Sequence, residues 1–179
     1  EPKVNELPSS SDPQVELNRI NENLRQAQDK QVDILSPTNF ERAEKARDKA
    51  IEARNKNKEQ AKILHHIAVS QAYIDQATAT ANVGEQILEK PLQARKAALA
   101  ANANANYSKE MRKADSEMQD LTRKIEDKNT NISEKKRDEV AKMYQDLQLK
   151  SVKKEKLGVA QANLEQAKQE GAKKLTPET

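Results

Sequence analysis

KEQAKILHHIAVSQAYIDQATATANVGEQIL, residues 58–88, carries Ile63, Ile67, Ser70, Ile74, Ala77, Ala81, Gly84 and Leu88 at alternating four- and three-residue steps. That spacing sets all eight on one stripe of an α-helix, the pattern of a helix that packs lengthwise on another. A strand would need apolar residues at every second position, and no run of β-branched or aromatic residues supplies them anywhere in the chain. The stripe is narrow and half of it is small side chains, so partner helices must approach closely.

Downstream, Tyr107, Met111, Ala114, Met118, Leu121 and Ile125 hold a second stripe of the same period. The two stripes predict a rod from about Lys58 to Asn129, roughly 105 Å long at 1.5 Å per residue if unbroken. Pro91 removes a backbone donor and crowds the carbonyl four residues back, so a kink or break is expected near Glu89-Lys90. The Ala/Asn run from Ala97 to Asn106 has almost no bulk to bury. It predicts either an unusually close partner helix or a marginal segment.

Asn129-Thr130-Asn131 ends the rod, and Asn131 with Glu134, or Ser133 alone, caps a returning helix. The result is an antiparallel hairpin turning at about 129–132. The return helix carries Val140, Met143, Tyr144, Leu147, Leu157, Ala160, Leu164, Ala167 and Gly171, with a register slip in the Lys-rich stretch 150–156.

Upstream, residues 1–12, EPKVNELPSSSD, read as a flexible tether, rich in Pro and Ser with little to bury. Ser11 or Asp12 then caps a helix whose first turn holds Pro13. Leu17, Ile20, Leu24, Ala27, Gln31 and Ile34 form its stripe over about 13–33. Ser36-Pro37 stops it, because a residue before proline avoids the α region, and restarts a helix with Ser36 as cap. That second helix, about 37–55, buries Phe40, Ala43, Ala46, Ala50, Ile51 and Ala53, and the polar stretch 55–60 reads as a turn.

Leu17, Asn23, Leu24, Gln26, Ala27, Leu35 and Pro37 recur 140 residues later as Leu157, Asn163, Leu164, Gln166, Ala167, Leu175 and Pro177, with Ser36 matched by Thr176. Residues 157–179 therefore read as the start of a second copy of the opening unit, and the chain as a slice of a longer repetitive rod.

Composition bounds function. Thirty-two Lys and Arg are interspersed with 29 Asp and Glu, leaving a net charge of +3. Such mixing gives no concentrated basic face, and four aromatic residues give no base-stacking platform, so nucleic-acid binding is excluded from the reading. The absence of Cys removes disulfides and thiolate metal sites. His65 and His66 are adjacent, so on a helix they point about 100° apart and cannot share a metal as an i, i+4 pair can. No phosphate-binding glycine loop, HExxH or nucleophile-elbow pattern is present. The expectation is no catalytic, cofactor-binding or metal-binding residue and no small-molecule substrate. No apolar run approaches the ~20 residues that span a bilayer. A chain opening at Glu1 reads as a mature or trimmed fragment from which a signal or lipid anchor has been removed.

The segment VELNRINENLRQAQDKQVDILSPTNFERAEKARDKAIEARNKNKEQAKILHHIAVSQAYIDQA resembles the helical domain of bacterial envelope lipoproteins, often found ahead of an OmpA-like peptidoglycan-binding domain. The resemblance rests on the spaced Leu and Ala of the first helix, the Ser36-Pro37 corner, the ERAEKARDKA helix and AVSQAYIDQA. It covers about residues 13–88. It implies a periplasmic, outer-membrane-associated, lipid-tethered protein with a three-helix unit, and offers no catalytic residues.

The sequence thus predicts an all-α fold: an elongated three-helix unit at 13–90, extended by an antiparallel helical hairpin of coiled-coil character at 91–156. Its predicted work is that of a non-catalytic spacer or interaction module of the envelope, joining a protein partner or a second copy through helices. Tyr107, Met111, Met118, Leu121 and Ile125 are the candidate interaction seam, although packing against the return helix is the simpler use for them. A cytoplasmic or secreted coiled-coil adaptor binding a partner helix is the competing reading.

Overall fold

The fold is all-α. A computed structural model describes residues 1–175, and among them no strand occurs. Eight helices follow in order: α1 (Pro13–Asp29), α2 (Val32–Leu35), α3 (Pro37–Asn55), α4 (Gln60–Ile87), α5 (Glu89–Ala100), α6 (Ala103–Asn106), α7 (Ser108–Glu126) and α8 (Glu134–Leu175). Two compact units share them. The first comprises residues 1–89 and 115–137, and the second residues 90–114 with the chain from 138 onward. These bounds differ from the expected 13–90 and 91–156, because α7 and α8 each contribute to both units.

In the first unit, α3 packs on α4, and α1 lies against both. Asp12 caps α1, its Oδ1 accepting from Gln14 N at 2.7 Å and Val15 N at 3.3 Å. The expected stripes are interior: Leu17, Ile20, Leu24 and Ala27 from α1, and Phe40, Ala43, Ala46, Ala50 and Ala53 from α3. From α4 come Ile63, Ile67, Ser70, Ile74, Ala77, Ala81 and Gly84. Small residues let the backbones close in, and Ser70 Oγ reaches the Ala43 carbonyl at 2.8 Å. Asn23 Nδ2 donates to Gln71 Oε1 at 2.7 Å, fixing α1 against α4. The expected tether, residues 1–12, is irregular but held to α4. Gln60 Nε2 donates to the Ser9 and Ser11 carbonyls, and Glu6 meets His65 Nδ1 at 2.7 Å.

Gly84 sits where α4 passes the corner. A Cβ there would lie 3.4 Å from Leu35 Cδ2, 3.6 Å from the Leu35 carbonyl oxygen and 3.9 Å from Ile125 Cδ1. A methyl group fits at ordinary contact distance, and glycine in a helix costs about 0.5–1 kcal/mol relative to alanine. Gly84→Ala is therefore expected to raise stability by up to about 1 kcal/mol, and Gly84→Leu to lower it by about 1–3 kcal/mol through overpacking. Thermal melts of the two variants check the opposite signs.

The predicted rod from 58 to 129 is not continuous. α4 ends at Ile87, with Leu88 at φ −110°, and α5 restarts at Glu89, which leaves Pro91 in a first turn where its missing N–H is not needed. A second interruption falls in the Ala/Asn run. α5 stops at Ala100, Asn102 turns left-handed at φ 58°, α6 makes one turn, and Tyr107 at φ −141° redirects the chain into α7. Asparagine tolerates the left-handed region, and the alanines are small enough for Ala98 and Ala103 to be fully buried.

This backbone path also occurs 71 residues earlier. Gln31 is left-handed at φ 59°, α2 makes one turn, and Ser36 at φ −146° leads into α3. The hydrogen bonds agree: Leu35 N to Gln31 O and Asn106 N to Asn102 O at 3.0 Å, Ser36 N to Val32 O and Tyr107 N to Ala103 O at 2.8 Å. α3 and α7 are both 19 residues long. Two residues beyond each comes a left-handed residue, Asn57 or Lys128, followed by a 2.9 Å bond across six residues, Lys58 N to Ala53 O and Asn129 N to Lys124 O. The first helix is thus shorter than expected, ending at Asp29 rather than 33, and Gln31 is a corner residue rather than a stripe residue.

Matched substitutions test this equivalence. Valine at position 31 or 102 is expected to cost about 1–3 kcal/mol, since a β-branched side chain is strained at positive φ, while glycine at either is expected to be neutral or stabilising. Chemical denaturation of Gln31→Val, Gln31→Gly, Asn102→Val and Asn102→Gly is predicted to give the same ranking at both sites.

Candidate functional site

The five predicted seam residues occupy α7 or the residue before it. Met111, Met118, Leu121 and Ile125 are at most 5% exposed, so they are core of this chain and present no open seam to a partner. The correction follows from the heptad itself, because a stripe satisfied by the chain's own helices leaves no apolar surface to recruit another. Tyr107 differs. It is half-buried at the corner, with its hydroxyl 3.5 Å from the Lys150 carbonyl and Lys154 Nζ 5.8 Å from its ring centre.

A buried polar cluster that the sequence reading missed lies at the first corner. Ser36 heads α3 as expected, but its side chain does not cap the helix. The capping group is Glu126 at the end of α7, whose Oε1 accepts from Asn39 N at 2.9 Å and Ser36 Oγ at 2.7 Å, and whose Oε2 accepts from Thr38 N at 3.2 Å. Asn39 Nδ2 donates to Ser36 Oγ, and Thr122 Oγ1 donates to the Ile34 carbonyl at 2.9 Å. A carboxylate at a helix N-terminus meets free N–H groups and the positive end of the dipole together. Its chemistry is structural, since its acceptor positions are taken up by the helix it caps. The available signal was Ser36-Pro37: a helix start whose serine is turned away needs another acceptor, but sequence spacing gives no route to residue 126.

At the other end of α4, Arg137 Nη1 donates to the Ile87 carbonyl at 3.2 Å. At the head of α8, Ser133 Oγ accepts from Lys136 N at 3.4 Å, as expected of a cap.

Surface depressions are open and shallow. One of about 330 Å³ runs past Asp33, Glu41, Glu44, Gln119 and Arg123, and one of about 200 Å³ past Lys49, Glu52, Lys56, Lys62 and His66. The pKa of His66 is lowered by burial first, then by His65, Lys49 and Lys62 nearby. Glu22, on the exposed face of α1, has its pKa lowered to about 2, chiefly by hydrogen bonds from Arg25 and then Gln26. These are ordinary helix-surface pairings at three- and four-residue spacing. Among the described residues, no three His, Asp or Glu side chains converge as a metal site would require. Among them, too, no helix is long and apolar enough to cross a membrane.

One apolar feature does remain open. Leu157 and Leu164 on α8 are 63% and 58% exposed, and Ala160 and Ala167, which share their stripe, are also exposed. The expected return-helix residues Val140, Tyr144 and Leu147 are buried, so α8 changes character beyond Ser151. Of the sequence recurrence at 157–179, Thr176 and Pro177 lie outside the described residues. Comparison with known families, with curated proteins and with solved structures gave no match.

Proposed function

We propose that this chain is a non-catalytic spacer and interaction module of the bacterial cell envelope, built by repetition of a helix–corner–helix–helix unit. The observation that supports it is the recurrence of one backbone path at residues 31–58 and 102–129, the first seam chiefly alanine and the second Met111, Ala114, Met118, Leu121 and Ile125. A repeated unit of this kind extends a surface by adding copies, each packing on its neighbours, and needs no enclosed cleft. The ion pairs are local, such as Arg25 with Glu22 and Asp29, and keep the helix surfaces solvated. The envelope placement rests on the resemblance of residues 13–88 to lipoprotein helical domains, with a lipid anchor upstream as the tether to the outer membrane.

Fractionation of a bacterium carrying the full-length protein tests the placement. Recovery with the periplasm and outer membrane supports it, and recovery in the cytosol contradicts it. Small-angle scattering tests the spacer: a radius of gyration well above the roughly 16 Å of a compact domain of this length supports it, and a value at 16 Å contradicts it.

A further inference from the structure

The stripe Leu17, Ile20, Leu24, Ala27 of α1 has a counterpart in the 140-residue sequence match, Leu157, Ala160, Leu164 and Ala167, with Ala160 in place of Ile20. All four residues of the first occurrence are buried. In the second, both leucines are more than half exposed and both alanines are open. The same stripe is thus covered on α1 and bare on α8.

What covers the first occurrence is on view: α1 lies against α3 and α4. One polar pair sets its position, Asn23 Nδ2 to Gln71 Oε1 at 2.7 Å, and a second links Arg47 Nη1 to Asn21 Oδ1 at 3.1 Å. Asn23 is itself retained in the second occurrence, as Asn163, beside Leu164. The match therefore keeps both leucines and the amide that, on α1, meet α3, α4 and the Gln71 side chain.

We propose that the exposed stripe of α8, Leu157 to Ala167, is the docking surface for an antiparallel helix pair built like α3–α4. Such a partner presents an alanine seam on one helix, an isoleucine seam on the other, and a glutamine opposite Asn163. The inference rests on the repeat reading of the chain and is independent of its cellular placement, so the fractionation result leaves it untouched. A second copy of α8 is the rival occupant. Two such stripes would pair Leu with Leu and set Asn163 against the amides of the other copy's α8, whereas the α1 stripe, where it is covered, is covered by a helix pair.

The test joins a second copy of residues 38–88 directly after Pro177 of the full chain, in the register that Leu35-Ser36-Pro37 holds before Thr38. The tether gives an effective concentration in the millimolar range, so a complementary surface cannot escape notice. Helical circular dichroism is expected to rise in step with the added residues. Hydrogen exchange of amides 157–167 is expected to slow at least tenfold. Leu157→Lys with Leu164→Lys is expected to abolish that slowing, while leaving the melting of the unextended chain unchanged because both side chains are exposed there. Added residues that stay unfolded, or exchange at 157–167 that does not change, would overturn the proposal. So would an unextended chain that sediments as a dimer and becomes monomeric with the two lysines, since the stripe would then belong to a second copy.

Discussion

Tyr144→Ala is expected to lower the free energy of unfolding by about 3–5 kcal/mol, the largest single effect in the molecule. Tyr144 is fully buried, and among the described residues it is the largest side chain so placed. The interior of this protein is assembled mainly from Ala, Leu, Ile and Met, with only four aromatic residues in the chain. Where seams are this thin, one ring fills volume that its small neighbours cannot recover by shifting, and truncation leaves a cavity. Val140 and Leu147, one turn to either side on the same stripe, lose part of their packing with it. For a domain held by about 5–15 kcal/mol in all, the loss is a large fraction of the total. Urea titration is expected to show a lower midpoint with an unchanged slope, and Tyr144→Leu, which keeps more of the volume, is expected to lose less.

Glu126→Ala is the second. It removes the acceptor of the Thr38 and Asn39 backbone N–H groups and of the Ser36 hydroxyl, in a place where Ser36 and Asn39 are buried. Water does not replace a lost acceptor there without rearrangement, and hydrogen bonds to a charged group count for more than neutral ones. The expected cost is about 2–4 kcal/mol, above that of an ordinary cap because the orphaned donors are interior. Glu126→Gln keeps the shape and one acceptor but loses the charge at the helix N-terminus, so it is expected to cost about half as much. Equal losses for both variants would show that side-chain bulk, and not capping, is what position 126 supplies. Thermal denaturation monitored at 222 nm separates the two.

Much of the fold was legible because period and punctuation agree where the residues are strong. The eight-residue stripe of 58–88 is buried as its spacing requires, Asp12 caps the helix that Pro13 begins, and Ser36-Pro37 turns the chain. The second corner was not legible, for a physical reason. Chain reversals are usually marked by glycine or proline, whereas Gln31, Asn57, Asn102 and Lys128 enter the left-handed region with no glycine among them. Ala97 to Asn106 offers mostly alanine, the best helix former, so propensity argues for continuity where the structure makes a corner. The same blindness hid the recurrence of the backbone path. Identities at an offset of 71 are few and scattered, among them Leu17 with Leu88, Ala43 with Ala114 and Tyr73 with Tyr144, and the match at 140 falls in a register two residues away from twice that offset.

The seam on α7 shows the limit of spacing from the other side. A heptad of Met, Leu and Ile looks the same whether its partner is another molecule or the chain's own helices, and only burial distinguishes them. Met111, Met118, Leu121 and Ile125 are interior, while the open stripe lies where the leucines are sparser and the sequence is more polar, at 157–167. The recurrence that placed Leu157 and Leu164 beside Leu17 and Leu24 was the better guide, because it compares one position with another already known to be covered.

Backbone assignment of the intact chain by solution NMR reads directly whether one helix–corner–helix path is used twice. Matching secondary shifts are expected over residues 26–58 and 97–129, with positive φ at Gln31, Asn57, Asn102 and Lys128 and helical values between. An uninterrupted helical signature through Ala97 to Tyr107, with negative φ at Asn102, would contradict it.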